Sequence, residues 1–128
     1  MGDGTSIGQV RGLGSSHEGS HHWWHQRLTA GSNLVLVLWF VLSMALLPAH
    51  DWETMHAWLA QPWAAVPMIL LIASTFYHFR LGLQVVIEDY QHNESRVVLL
   101  ILLNFFTIAS ATLAIFSVLK TAFTPGAI

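Results

Sequence analysis

The chain has no cysteine and very little charge. Without thiols it carries no disulfide framework, thiolate zinc site, cysteine-ligated iron–sulfur cluster or haem attached through a C-x-x-C-H motif. Only 9% of its 128 residues are charged, against about a quarter in an ordinary soluble domain. Net charge is −2 with histidine neutral, so the basic surface a nucleic-acid partner requires is missing. No Asp, Glu, Lys or Arg occurs from Leu28 to Ala49, from Gln61 to Phe79, or from Val97 to Leu119. The first 27 residues lack an apolar run of the kind a cleavable signal peptide needs, so the first hydrophobic segment is expected to stay as an anchor.

What fills these charge-free windows is apolar. A hydrocarbon core of roughly 30 Å is crossed by about 20 helical residues, and each window is long enough. A soluble bundle would show a polar face repeating about every 3.6 residues, yet Leu34–Leu42 and Val97–Leu103 are apolar all the way round. The expected fold class is therefore an all-α membrane protein of three transmembrane helices. They are placed at 29–47, ended by Pro48, at 64–87 after Gln61-Pro62-Trp63, and at 97–119. Residues 1–28 form a polar N-terminal segment, a short loop carries Asp51 and Glu53, and Glu88–Arg96 links the last two spans.

Orientation follows from Lys and Arg in the short flanking segments. Arg11, Arg27, Arg80 and Arg96 lie toward one side and only Lys120 toward the other. This predicts a cytoplasmic N-terminus and an outside, periplasmic C-terminus. Trp23, Trp24, Trp52, Trp58, Trp63, Tyr77 and Tyr90 lie mostly near the expected interfaces, as aromatic belts do.

His78 is the one histidine inside an expected span. An ionisable group at that depth is costly and marks a functional candidate. On a helical wheel Gly82 lies about 40° to one side of it and Ser74 about 40° to the other. Gly82 takes away bulk one turn from an imidazole, which suits the plane of a porphyrin, and imidazole is a common axial ligand of haem iron. The same pattern suits a neutral histidine hydrogen-bonded between helices, with Gly82 serving close packing; spacing leaves both readings open. If two histidines ligate a haem, the second comes from another polypeptide. Arg80, at similar depth, is expected to reach toward the interface along its stem or to pair with an acid.

Asp89 falls about 20° from the His78 face and roughly 17 Å nearer the cytoplasm, and Tyr90 follows it. A phenol suits a quinone carbonyl, with a carboxylate beside it to orient it or relay protons. Alternatively Tyr90 is an interface anchor and Asp89 ends a helix. In His21-His22-Trp23-Trp24-His25-Gln26-Arg27, His21 and His25 stand at metal-binding spacing if helical, but no glutamate makes an H-E-x-x-H motif. Interfacial docking by the indoles is the favoured reading, with Arg27 near phosphate or a haem propionate. Asn104, Thr107, Ser110, Ala111 and Ala114 read as a packing seam of the last helix.

The string His78-Phe-Arg-Leu-Gly82-Leu-Gln84-Val-Val-Ile-Glu-Asp89-Tyr90 resembles the signature of succinate dehydrogenase hydrophobic membrane-anchor subunits, the D subunits of complex II. Arg11-Gly-Leu-Gly14 and Arg27-Leu-Thr29-Ala30 are also similar to that family, and the resemblance covers nearly the whole chain. It implies a four-subunit complex. A flavoprotein subunit oxidises succinate, and an iron–sulfur subunit passes electrons to the membrane. There a cytochrome b556-type anchor subunit and this chain hold haem b and ubiquinone. It implies that His78 is a haem ligand with Gly82 packed at the haem, that Arg27 lies by the propionates, and that Tyr90 and Asp89 bind ubiquinone. The expected location is a bacterial inner membrane, or the mitochondrial inner membrane if eukaryotic. Competing readings are a fumarate reductase anchor, a haem-free structural anchor, and a small proton or ion channel using His78 and Arg80.

Overall fold

A computed structural model describes residues 19–124. The Arg11–Gly14 stretch and the closing Pro125-Gly126 lie outside the described residues. Four helices make up the described chain: α1 (Gly19–Leu46), α2 (Trp52–Leu59), α3 (Pro62–Tyr90) and α4 (Asn93–Phe123). No strand occurs among the described residues, and α1, α3 and α4 are each long and apolar enough to cross a membrane.

These three helices outrun the charge-free windows. At 1.5 Å per residue, lengths of 28, 29 and 31 residues give about 42–46 Å, beyond the roughly 30 Å of hydrocarbon. Helix propagation needs only a continuous hydrogen-bond ladder, so it does not stop where apolarity stops. Residues 19–28, expected to belong to a polar N-terminal segment, are therefore the first turns of α1. Likewise the Glu88–Arg96 link shrinks to Gln91 and His92, with Asn93 at φ 60° reversing the chain. Asn tolerates this left-handed conformation better than most side chains.

The breaks sit where backbone chemistry requires them. α1 ends two residues before Pro48, whose ring disfavours a helical residue ahead of it. The imidazole Nε2 of His50 donates to the Met44 carbonyl at 3.0 Å, filling one of the acceptors that a helix end leaves open. The expected loop between the first two spans contains a helix, α2. Asp51 stands at its N-cap position and Glu53 in its first turn, both favourable at a helix N-terminus. Pro62 opens α3 at a position where no N–H is needed.

α2 fastens one end of the structure. Trp58, only 5% exposed, stacks on Trp39 of α1 at 5.9 Å and meets Trp63 of α3 edge-on at 6.4 Å. α3 is the central element: α1 packs along one side of it and α4 along the other, while α1 and α4 bring no Cα atoms within 8 Å of each other. Such an open row leaves much apolar surface uncovered, including Leu34, Val35, Phe105, Ile108, Leu113 and Phe123. A patch of that extent requires lipid or a protein partner.

Candidate functional site

His78 lies 12 residues before the end of α3, about 18 Å along its axis. It is half-buried and turned toward α1. The seam between the antiparallel α1 and α3 is polar in three successive places. Thr29 Oγ1 lies 3.0 Å from His78 Nδ1, Ser32 and Ser74 share a hydrogen bond of 2.8 Å, and Thr75 Oγ1 donates to Asn33 Oδ1 at 3.5 Å. Ser74, expected beside a cofactor on the His78 face, is thus occupied by α1. The other flank differs. A Cβ built on Gly82 meets nothing within 4 Å, so this glycine is not spent on packing within the chain, and the space beside it is open.

Arg27 stands two residues before Thr29 on α1, which puts it near the level of His78, slightly toward the start of α1. Its guanidinium lies 5.0 Å from the Trp23 ring centre, a favourable stacking for a cation. With Trp24, Leu28, Gly31, Ser32, Val35 and Leu36 it lines an open, mostly apolar groove along α1. A Cβ on Gly31 would also meet nothing within 4 Å.

On the opposite face of α3, Arg80 donates through Nε to Asn104 Oδ1 of α4. Among the described residues no acid pairs with it; a neutral amide takes that place, itself fixed by donating to the Leu100 carbonyl at 2.8 Å. Thr107, buried one turn on, returns its hydroxyl to the Leu103 carbonyl at 2.7 Å. Nearer the α3–α4 turn, Gln84 donates to Glu88 at 3.0 Å, and Glu88 pairs with Arg96 at 3.7 Å.

Asp89 and Tyr90 occupy the last two positions of α3. Both are exposed, Tyr90 by 78%, and among the described residues neither side chain is held by a hydrogen bond. The structure therefore sets Gly82 one turn from His78 on α3, with Arg27 near the His78 level on α1, and leaves Asp89 and Tyr90 about 17–18 Å from His78 along the helix. The His21 and His25 rings stack at 6.2 Å, and no third histidine or carboxylate joins them among the described residues. His25 also meets Tyr77 edge-on at 6.1 Å.

Thr29 is the site residue that sequence reasoning missed. Its partner lies 49 positions away, so no helical period links them, and only its place in Arg27-Leu-Thr29-Ala30 singled it out.

Residues 1–115 match the family model described as succinate dehydrogenase/fumarate reductase transmembrane subunit. The chain belongs to that family. Three relatives, each named succinate dehydrogenase hydrophobic membrane anchor subunit, illustrate the likeness. Identity to this family member is 35% for the Rickettsia bellii protein, covering 81% of this chain and 84% of the relative. It is 30% for the Rickettsia conorii protein, covering 83% and 86%, and 28% for the Paracoccus denitrificans protein, covering 83% and 84%. No solved structure matches.

Proposed function

We propose that this chain is a membrane anchor subunit of a succinate:ubiquinone oxidoreductase, sharing a haem b with a partner anchor and presenting a ubiquinone site where α3 ends. The observation that carries the haem reading is a half-buried histidine well inside a long apolar helix, one turn from a glycine that crowds nothing. Imidazole is a suitable donor for haem iron, and the open flank at Gly82 admits a flat group. His78 would hold the iron, Gly82 would face the macrocycle, and Arg27 would sit within reach of a propionate. When bound, haem b supplies a one-electron store close to the quinone site. No second histidine lies within the apolar spans of this chain, so a second axial imidazole belongs to a cytochrome b556-type partner.

Ubiquinone becomes ubiquinol by taking up two electrons and two protons. The exposed phenol of Tyr90 is placed to donate a hydrogen bond to a quinone carbonyl, and the Asp89 carboxylate beside it can pass on protons. At the end of a helix some 18 Å from His78, both groups reach headgroup depth, where water supplies the protons. The bias of Arg27, Arg80 and Arg96 toward this end favours a cytoplasmic setting for it. There an iron–sulfur subunit, itself joined to the flavoprotein that oxidises succinate, would deliver electrons. The location that follows is a bacterial inner membrane.

The test is a reduced-minus-oxidised visible spectrum of the detergent-extracted complex with succinate as reductant, for the native chain and for His78→Ala. A b-type band that succinate brings up, and that His78→Ala diminishes or shifts, is the expected result. Intact succinate–quinone activity without any band would leave a haem-free anchor and remove the ligand role of His78.

A further inference from the structure

We infer that Thr29 is a positioning residue for His78: its hydroxyl fixes which imidazole nitrogen carries the proton and holds the ring so that Nε2 is free to bind iron. The inference rests on the haem reading above and concerns a residue of α1 that this reading does not use.

The protons available at this contact decide its direction. A hydroxyl has one hydrogen to donate and lone pairs to accept with. Thr29 Oγ1 lies 2.8 Å from the His25 carbonyl, 3.1 Å from the Gln26 carbonyl and 3.0 Å from His78 Nδ1. The two carbonyls can only accept. A helical threonine commonly gives its proton back to the preceding turn, and the 2.8 Å contact is the shortest of the three. The hydroxyl therefore has lone pairs left for His78, and Nδ1 must be the donor. Were Nδ1 bare, two lone pairs would face each other across 3.0 Å in a half-buried seam. A neutral His78 therefore carries its proton on Nδ1 and presents an unprotonated Nε2. That is the tautomer a metal takes, with the other ring nitrogen tied to an acceptor.

Position follows from the same contacts. Thr29 is 9% exposed, its χ1 is restricted by β-branching, and its hydroxyl is pinned to its own helix. The imidazole is thus attached to α3 through its Cβ and to α1 through Nδ1, which sets the ring plane. A neutral hydroxyl acceptor adds less imidazolate character than a carboxylate would, so the ligand stays close to plain imidazole. Losing even this acceptor makes the nitrogen a poorer donor to ferric iron, and the midpoint potential rises.

The experiment uses the assembled complex carrying Thr29→Val, Thr29→Ser or His78→Ala, read by haem content, redox titration and the electron paramagnetic resonance spectrum of the ferric haem. Thr29→Val, which swaps hydroxyl for methyl, is expected to weaken haem retention about 10- to 100-fold, raise the potential and alter the ferric spectrum. Thr29→Ser should restore all three. If Thr29→Val fails to assemble, Thr29→Ala removes the same hydroxyl with less bulk and is read the same way. A native potential and spectrum in the hydroxyl-free variant, or a serine variant that behaves like valine, overturns the role of Thr29 while His78→Ala still loses the band. An unaltered band in His78→Ala overturns the ligand reading itself, and this inference with it.

Discussion

The proposed quinone site turns on one oxygen atom. Tyr90 is exposed at the end of α3 and no described residue holds its hydroxyl, so removing that hydroxyl strands nothing inside the chain. Tyr90→Phe should therefore leave folding and assembly alone and remove only the bond to substrate. A hydrogen bond nets about 0.5–1.5 kcal/mol, and about 1.4 kcal/mol is tenfold in rate. Succinate-to-ubiquinone turnover is expected to fall by up to roughly tenfold, while succinate oxidation by artificial dyes, which draw electrons before the membrane, stays unchanged. Equal losses in both assays would make Tyr90 structural. His78 differs from Tyr90 in what sequence could say of it. Its place inside a long apolar helix was legible, because charge and apolarity are written along the chain. Its partner was not, because the contact with Thr29 depends on the register of two helices 49 residues apart.

Among elements, the α1–α3 and α3–α4 seams show why helix existence was readable and helix ends were not. Apolarity marks the hydrocarbon, and each window did become a helix. The ends depend on hydrogen-bond continuity, which carried α1 back to Gly19 and α4 forward from Asn93. α2 went unread because eight residues between two spans look like a loop by composition, although Asp51 at its N-cap was a signal. Lipid tails are as apolar as leucine, so packing and interhelical hydrogen bonds must hold α1 to α3. Ser32 and Ser74 meet at 2.8 Å, which is possible only because both side chains are small. Ser74→Ala removes the bond and keeps the fit, and should cost about 0.6 kcal/mol, the average for such bonds. Ser74→Leu forces the helices apart and should also displace Thr29 from His78. The expected outcome is near-native assembly and haem content for alanine and loss of both for leucine, measured on detergent-solubilised complex. Matching losses would show that the hydrogen bond matters more than the fit.

For the whole molecule, the open row of helices and the charge distribution together bear on what lies on each side. Of the three long helices only α3 packs against both others, so the uncovered faces of α1 and α4 remain for lipid and for a partner. The proposed quinone chemistry demands more: the α3–α4 turn must face the compartment where soluble subunits deliver electrons. Arg27, Arg80 and Arg96 lie toward that end and only Lys120 toward the other among the described residues, which favours a cytoplasmic turn. The absence of cysteine makes the test clean, since a single introduced thiol is the only one in the chain. His92→Cys, in the turn between α3 and α4, and Ala57→Cys, on the exposed side of α2, report opposite ends. A membrane-impermeant maleimide should label position 92 only in inverted vesicles and position 57 only in right-side-out ones. The opposite pattern would leave Asp89 and Tyr90 on the outer surface, beyond reach of a cytoplasmic iron–sulfur subunit. The quinone site would then have to be sought near Trp58 and Trp63, at the other end of the helices. His78 lies well inside α3 in either orientation, so reversal would move the quinone site and leave the haem site where it is.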